Sequence, residues 1–184
     1  MKKLLILTVL FALVFNVQAQ EHKLKKQKIA KLFTIELPKS FDKLNDDEMA
    51  QKYTTINRPL AVYADKEADA SFSVVAKPSS FASDDLDMLY NFYKSSIQQR
   101  FSAVNFMNDG IRKVNGREFV TFEFVSSVKD ERKSISKLPA ANYYTIAQYT
   151  IVNNQLYIMT FSVPAARQRE WQKTAQEAMS SVKF

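Results

Sequence analysis

The chain has 184 residues, a formal net charge of +7, no cysteine, one histidine and two glycines. Cys–His dyads and zinc sites built from cysteine or several histidines are therefore excluded, and a Ser–His–Asp triad would have to use His22 near the N-terminus. Two glycines are too few for the glycine-rich loops that bind nucleotide phosphates. The composition thus excludes several common enzyme classes and indicates no cofactor.

The first residues have the pattern of a secretory signal peptide. Two lysines follow Met1, an uncharged apolar run begins at Leu4, and the small-residue tripeptide VQA occupies positions 17–19. The apolar run is shorter than the roughly 20 residues that span a bilayer, and no later stretch is longer, so no transmembrane span is predicted. We predict that residues 1–19 are removed and that the exported chain, periplasmic or secreted, begins at Gln20.

A cluster of lysines follows the predicted cleavage site, and we interpret residues 20–31 as a basic flexible arm. The charges of residues 32–184 nearly balance, so the basic surface of a nucleic-acid-binding protein is missing and no nucleic-acid partner is predicted. The arm is interpreted either as a weak electrostatic contact with an anionic membrane, worth about 1 kcal/mol per lysine, or as a solvated tether. Its lysines are Lys23, Lys25, Lys26, Lys28 and Lys31.

His22 suggests a metal-binding hypothesis. Cleavage after Ala19 would place it third in the mature chain, behind Gln20 and Glu21. A free terminal amine, two backbone amides and a third-position imidazole form the square-planar nitrogen set that suits Cu(II) or Ni(II). Cyclisation of Gln20 to pyroglutamate would remove the amine. The alternative interpretation is an exposed histidine in the arm, and the mass of the mature N-terminus tests the metal hypothesis.

The first half of the mature chain predicts a strand and a hairpin. Apolar and polar residues alternate from 33 to 37, which predicts a half-buried strand that Pro38 ends. Residues 40–48 are polar and predict a turn or a short helix. Residues 59–65 and 70–76 are two short runs of strand-forming residues separated by a charged segment, which predicts a hairpin.

An amphipathic helix is predicted for residues 83–101. Ser83 is a suitable N-cap, and three aspartates follow it where the helix dipole favours negative charge. This position explains the aspartates without a catalytic or metal-binding role. The aspartates are Asp84, Asp85 and Asp87, and the apolar stripe consists of Leu86, Leu89, Tyr90, Tyr93, Ile97 and Phe101.

Two long hairpins are predicted next. Asn115 and Gly116 tolerate the positive φ of a type I′ turn, and the strand-forming run that follows extends from 119 to 128. Asn153 and Asn154 are the corresponding turn residues of the second hairpin.

A helix is predicted after Pro164, because proline suits the first helical turn. Together with the hairpins, it predicts an α+β fold with a central antiparallel sheet of about five to seven strands flanked by helices. No second domain is predicted, so residues 32–184 are interpreted as one domain. The buried stripe of the helix would consist of Trp171, Ala175, Ala178 and Met179.

Aromatic residues crowd the two long hairpins, and a charged loop at 129–142 joins them. If helices cover both faces of the sheet, these aromatics form the core; if one face is incompletely covered, they form a surface for a partner or an apolar ligand. The loop would form the rim of such a site because long loops often carry function. The candidate partner surface consists of Lys129, Arg132, Lys133, Lys137, Tyr143 and Tyr144.

In the order of its elements the chain resembles the PsbP-like and DcrB-like family of α/β/α sandwiches. The matching segments are FTIELPKSF at 33–41, DLDMLYNFYKSSI at 85–97, VNGREFVTFEF at 114–124, YTIVNNQLYIMTFSVP at 149–164 and AQEAMSSVKF at 175–184. The resemblance implies an exported, envelope-associated protein, like relatives that help to assemble or stabilise larger complexes. It brings no catalytic motif shared by the family, and no calcium, manganese or chloride ligand set is matched here.

The expected function is that of a non-enzymatic exported envelope protein that binds a partner or assists complex assembly. The alternative is a small-molecule or lipid carrier with a pocket between the aromatic sheet face and a helix. An enzyme that uses only carboxylates, serine, lysine and tyrosine is a third hypothesis that the composition does not exclude.

Overall fold

The structure is a computed structural model that describes residues 22–54, 58–67, 69–128 and 141–184. None of the helices within these ranges has the length and apolar character needed to cross a membrane. In chain order the elements are β1 (Leu24–Ile29), β2 (Phe33–Pro38), β3 (Asp42–Lys43), α1 (Asp46–Lys52), β4 (Ala61–Ala64), β5 (Ser71–Pro78), α2 (Leu86–Arg100), β6 (Ala103–Val114), β7 (Arg117–Val128), β8 (Ala141–Val152), β9 (Gln155–Pro164), a 3₁₀ turn (Ala165–Arg167) and α3 (Gln168–Ser180).

Seven strands form one antiparallel sheet in the order β3-β4-β5-β9-β8-β7-β6, and β1 and β2 form a separate two-stranded sheet. Helix α3 and the β1–β2 hairpin cover one face of the large sheet, which we call the α3 face. Helix α2 packs on the opposite face, which we call the α2 face. The predicted α+β fold, a central antiparallel sheet flanked by helices, is confirmed.

Both long hairpins turn where the sequence predicts. Asn115 and Gly116 have φ values of 47° and 88°, and Asn153 and Asn154 have 49° and 59°. Asparagine and glycine adopt these left-handed conformations at low cost, and the resulting turns match the twist of the strands. The turns therefore fix which residues of β6 to β9 lie opposite one another.

The two faces of the sheet enclose separate apolar clusters, because side chains alternate along each strand. Trp171 of α3 is 1% exposed and packs on Phe41 and Phe161 in the α3-face cluster. On the α2 face, the Tyr93 and Tyr149 rings stack with centroids 4.1 Å apart. The predicted buried stripe of the terminal helix is confirmed: Trp171, Ala175, Ala178 and Met179 are each at most 1% exposed.

The prediction of a flexible basic arm at residues 20–31 is wrong for residues 24–29, because these residues form strand β1. This strand pairs antiparallel with β2, and Ile29 at its end is 1% exposed. The pairing satisfies backbone groups that a free arm would leave to water, and it places apolar side chains of β2 on the core. The predicted signal peptide lies outside the described residues and stays a prediction.

Two predicted helix starts are also corrected. Helix α2 begins at Leu86 after Asp85, which makes no side-chain capping bond, so Ser83 is not the N-cap and only Asp87 lies in the first turn. Helix α3 begins at Gln168 after the 3₁₀ turn Ala165–Arg167, and Pro164 is the last residue of β9. Residues 40–48, predicted to form a turn or a short helix, contain only the first residues of helix α1, which Asn45 and Glu48 cap reciprocally.

An ion pair attaches α2 to the edge strand β6. Lys94 Nζ lies 2.6 Å from Asp109 Oδ2, and the Tyr90 hydroxyl donates to the same oxygen over 2.8 Å. The hydrogen bond from Lys94, with a smaller contribution from Tyr90, holds the pKa of the Asp109 carboxyl below its ordinary value of 3.8. The interaction is therefore stronger when Asp109 is ionised.

We expect this ion pair to make stability depend on acid pH. Because the pKa of Asp109 is lower in the folded chain than in the unfolded chain, its contribution is complete above about pH 5 and is lost as the pH falls below 3.8. The unfolding free energy of Asp109→Asn should therefore lie below that of the wild type at pH 6 and converge with it near pH 2. The control variant Asp42→Asn changes an exposed side chain and should alter stability at pH 6 by no more than about 0.5 kcal/mol. A difference between Asp109→Asn and the wild type that stays constant from pH 6 to pH 2 would contradict the assignment.

Candidate functional site beneath the C-terminal helix

A buried carboxylate lies at the centre of the α3 face. Glu123 is on β7 and is 6% exposed. Strand alternation directs its neighbours Phe122 and Phe124 into the α2-side cluster, so Glu123 points toward α3. Burial of a carboxylate is unfavourable unless hydrogen bonds or an opposite charge compensate it. The groups that surround Glu123 are therefore of functional interest.

Three neutral groups donate hydrogen bonds to one oxygen of this carboxylate. The hydroxyl of Tyr144 lies 2.7 Å from Glu123 Oε1, and the Nε2 atoms of Gln172 and Gln176 each lie 3.0 Å from it. Burial, and then the hydrogen bond to Glu123, raises the pKa of the Tyr144 hydroxyl well above its ordinary value of 10.0. Tyr144 therefore stays protonated and remains a donor.

A cleft of about 320 Å³ opens beside the carboxylate. Thr121 and Gln148 also line it; they lie directly opposite each other on β7 and β8. The side chains of Thr121 and Gln148 are 7% and 3% exposed, and neither Thr121 Oγ1 nor Gln148 Oε1 has a hydrogen-bond partner among the described residues. The cleft thus combines a carboxylate with two unpaired polar oxygens.

The edge strand explains why this space is open. A bulge between Phe106 and Asn108 shifts the register of β6, so Asn108 lies opposite Glu123 and Gly110 lies opposite Thr121. Gly110 has a φ of 140°, a conformation that favours glycine, and it places no side chain beside Thr121. At the mouth of the cleft, the exposed guanidinium of Arg112 donates to Asn108 Oδ1.

Of the residues predicted to form the partner surface, the structure describes Tyr143 and Tyr144. Lys129, Arg132, Lys133 and Lys137 lie outside the described residues. Tyr144 is 0% exposed, so its assignment to a partner surface is wrong. Neighbouring residues of a strand point to opposite faces, and this alternation turns Tyr144 into the α3-side core while Tyr143 remains 39% exposed.

A second cleft, of about 290 Å³, lies between the sheet and α2. Tyr143, Tyr149 and Phe124 contribute aromatic surface, as expected for a pocket between the aromatic sheet face and a helix. Much of the remaining lining consists of hydroxyl side chains, and Ser126 Oγ is buried there without a partner in the described part of the chain. The serine and threonine residues of the lining are Ser96, Ser126, Thr145, Thr160 and Ser162.

The predicted membrane-contact lysines are accessible. Lys23, Lys25, Lys26, Lys28 and Lys31 are all exposed, and most of them lie on or next to β1. Charged residues on an outer strand also discourage edge-to-edge association of sheets, which gives these lysines a structural role without a membrane. Contact with an anionic membrane stays a prediction.

His22 packs on the terminal helix. Its imidazole stacks on the Trp171 ring with centroids 3.7 Å apart, and its Nε2 lies 3.4 Å from Glu170 Oε1. Because the His22 side chain is 14% exposed, its interpretation as an exposed arm residue is wrong. No cluster of three or more histidine, aspartate or glutamate side chains suited to a metal occurs in the described ranges. The N-terminal Cu(II) or Ni(II) hypothesis stays a prediction, because Gln20 and Glu21 lie outside those ranges.

Solved structures of three proteins resemble the chain over nearly its whole length. The cyanobacterial PsbP (CyanoP) from Synechocystis sp. PCC 6803 has a TM-score of 0.56 at 14% identity and covers 89% of this chain and 94% of its own. The Ran-binding protein Mog1p from Saccharomyces cerevisiae has a TM-score of 0.57 at 12% identity, with coverages of 89% and 96%. PA94 from Pseudomonas aeruginosa, a protein of unknown function, has a TM-score of 0.50 at 10% identity, with coverages of 88% and 96%.

These similarities define the class of fold: the chain has the α+β fold of PsbP and Mog1. No protein-family model and no curated protein matches the chain. The predicted resemblance to PsbP is therefore confirmed for the fold, whereas the resemblance to DcrB-like proteins stays a prediction. At these low identities the comparison shows the fold alone, and the functional interpretation depends on the residues of this chain.

Sequence reasoning missed the cleft beside Glu123. Thr121 and Glu123 alternate with apolar residues, a pattern typical of a strand with one solvent-facing side. Gln148 was an available signal, because it is a polar residue between the apolar residues Ala147 and Tyr149 of a predicted strand. The donors Gln172 and Gln176 come from α3, and only the fold brings them to the carboxylate.

Proposed function

We propose that this chain is an exported, non-enzymatic accessory protein that binds a partner protein through the α2 face of its sheet. The observation that supports this function is the incomplete cover of that face. Helix α2 packs on β6 and β7, whereas several residues of β5 and β9 that point to the same side are only half-buried. These residues include Ser71, Ser73, Thr160 and Ser162.

The chemistry of this surface suits a polar, reversible contact. Thr145 and Ser162 are hydrogen-bonded across β8 and β9 at 3.2 Å, and the hydroxyl row continues onto β5. Tyr143 stands beside the row with an aromatic ring and a hydroxyl group, a combination common at protein interfaces. We propose that the charged residues that follow β7 in the sequence, among them Lys129 and Arg132, take part in the same contact. Among proteins with this fold, the name of Mog1p describes binding of the protein Ran.

A small-molecule carrier is the second candidate. The 290 Å³ cleft beside α2 favours it, since it lies where a carrier pocket would be expected. Its volume is at the lower end of the range of about 300–1,000 Å³ found for small-molecule pockets. Its hydroxyl-rich lining fits a small polar ligand better than a lipid chain.

Native mass spectrometry of the mature protein, purified from the envelope of its own cells, tests these functions. We expect a retained protein partner in the wild type and a lower occupancy in Tyr143→Ala. The control variant Met88→Ala removes a side chain that is 60% exposed on α2, and it should keep the partner. Equal circular dichroism spectra would show that both variants are folded.

Native mass spectrometry distinguishes the proposed functions, because a bound protein and a bound small molecule add different masses to the chain. A complex with a small molecule in place of a protein would favour the carrier, and a protein without any bound species would count against both functions. The denatured mass of the same sample identifies the first residue. A start other than Gln20 would contradict the predicted cleavage site, and a pyroglutamate mass would contradict the N-terminal metal hypothesis.

A further inference from the structure

Among the residues that the structure describes, the buried carboxylate of Glu123 has no charged partner. Its three hydrogen bonds come from neutral groups and all end on Oε1. In the part of the chain that the structure describes, no hydrogen bond reaches Oε2 and no lysine or arginine forms an ion pair with Glu123. A carboxylate in a buried site favours a cation beside it. The cleft next to Glu123 has room for such a cation.

The other acceptors of the cleft indicate the kind of cation. Thr121 Oγ1 and Gln148 Oε1 are buried without a partner among the described residues, and leaving such atoms unpaired is unfavourable. Together with the Glu123 carboxylate, these two oxygens provide three hydrogen-bond acceptors for one ligand. A primary ammonium group carries three N–H donors and no acceptor, so its hydrogen-bonding capacity matches this set. Calcium prefers six to eight oxygen ligands, more than this set supplies.

We propose that the cleft binds the primary ammonium group of a small amine, with the nitrogen directed at Glu123, Thr121 and Gln148. The site lies on the α3 face and is independent of the partner surface proposed for the α2 face. Its volume of about 320 Å³ accommodates a ligand of amino-acid size. Gly110 lies opposite Thr121 on β6 and adds no side chain to this side of the sheet.

The charge at the mouth of the cleft determines which amines are expected to bind most tightly. The guanidinium of Arg112 is exposed at the mouth, where it contacts Asn108. A ligand with a second positive charge would be repelled by Arg112, whereas a carboxylate at the far end would be attracted. The preferred ligand is therefore an amino acid whose ammonium and carboxylate groups lie at opposite ends.

Titration of the purified full chain with four-carbon probes, followed by NMR, tests the assignment. We expect saturable binding in the order 4-aminobutyrate, then butylamine, then 1,4-diaminobutane, with shifts of the Gln148 side-chain amide and the Thr121 methyl signals. The trimethylated form of 4-aminobutyrate has no N–H donor and should not shift them. Calcium chloride and magnesium chloride serve as metal probes and should leave these signals unchanged.

A pair of matched substitutions locates the site. Glu123→Gln keeps the shape of the side chain but removes its charge, and it should weaken binding of 4-aminobutyrate roughly 10- to 100-fold. Glu118→Gln makes the same change at an exposed position of the same strand, and it should leave binding unchanged. Gln148→Met provides a second test if Glu123→Gln does not fold, and it should also weaken binding about tenfold.

Several results would overturn the proposal. The absence of saturable shifts with every amine would mean that water alone fills the cleft. Binding of calcium or magnesium without binding of amines would replace the ammonium ligand with a metal ion. Equal affinity of the wild type and Gln148→Met would place the amine elsewhere on the chain.

Discussion

Phe122→Ala should lower the free energy of unfolding by about 3–5 kcal/mol, the usual cost of removing a buried aromatic ring. Phe122 is 0% exposed and lies at the centre of the α2-side cluster. Its ring centroid is 5.3 Å from that of Tyr90, 5.9 Å from that of Tyr149 and 6.0 Å from that of Phe106. Its removal would leave a cavity between α2 and the sheet. Denaturation by urea, monitored by circular dichroism, measures the effect.

Phe92→Ala is the matched control for this experiment. Phe92 is also an aromatic residue of the α2 side, but it is 53% exposed and contacts mainly Phe81 and Tyr93. Its removal should cost less than about 1 kcal/mol because little buried area is lost. Similar losses for the two variants would mean that α2 does not pack on the sheet as described.

Tyr144→Phe should lower the free energy of unfolding by about 1–3 kcal/mol, although it removes only one oxygen. The ring and its packing are retained, so the loss reports the hydrogen bond of 2.7 Å to Glu123. The carboxylate would keep two donors, Gln172 and Gln176, and would remain buried with less compensation. Thermal and urea denaturation at neutral pH measure the change.

The neighbouring tyrosine supplies the control. Tyr143→Phe makes the same change at a residue that is 39% exposed and should alter stability by no more than about 0.5 kcal/mol. A double variant, Tyr144→Phe with Glu123→Gln, should lose less than the sum of the single losses, because both substitutions remove the same interaction. Additive losses would show that Tyr144 and Glu123 do not interact.

The local parts of the fold could be predicted from the sequence. Asn115 with Gly116 and Asn153 with Asn154 determine their turns through backbone conformation, so each turn depends on adjacent residues. The apolar stripe of α2 likewise depends on residues within one helix. These signals locate strands β6 to β9 and helix α2. Because strands joined by tight hairpins run antiparallel, the same signals also predict an antiparallel sheet.

Features that depend on distant residues could not be predicted. β1 contains three lysines among its six residues, and its pairing depends on β2 and on burial of Ile29. Adjacent tyrosines at 143 and 144 must point to opposite faces, but the sequence does not say which one is buried. The Glu123 site requires donors from β8 and α3 and a bulge in β6, so it exists only in the folded chain.

The β1–β2 hairpin is attached to the last residues of the chain. Thr34 and Lys183 exchange two backbone hydrogen bonds of 2.8 and 2.9 Å, and Ser181 Oγ accepts one from the Glu36 amide over 2.7 Å. During synthesis the β1–β2 hairpin leaves the ribosome well before the residues that hold it in place, because Glu36 and Ser181 are 145 positions apart. The α3-side core can therefore close only after residues 181–183 have left the ribosome, so this half of the fold depends on contacts between residues that are far apart in the sequence.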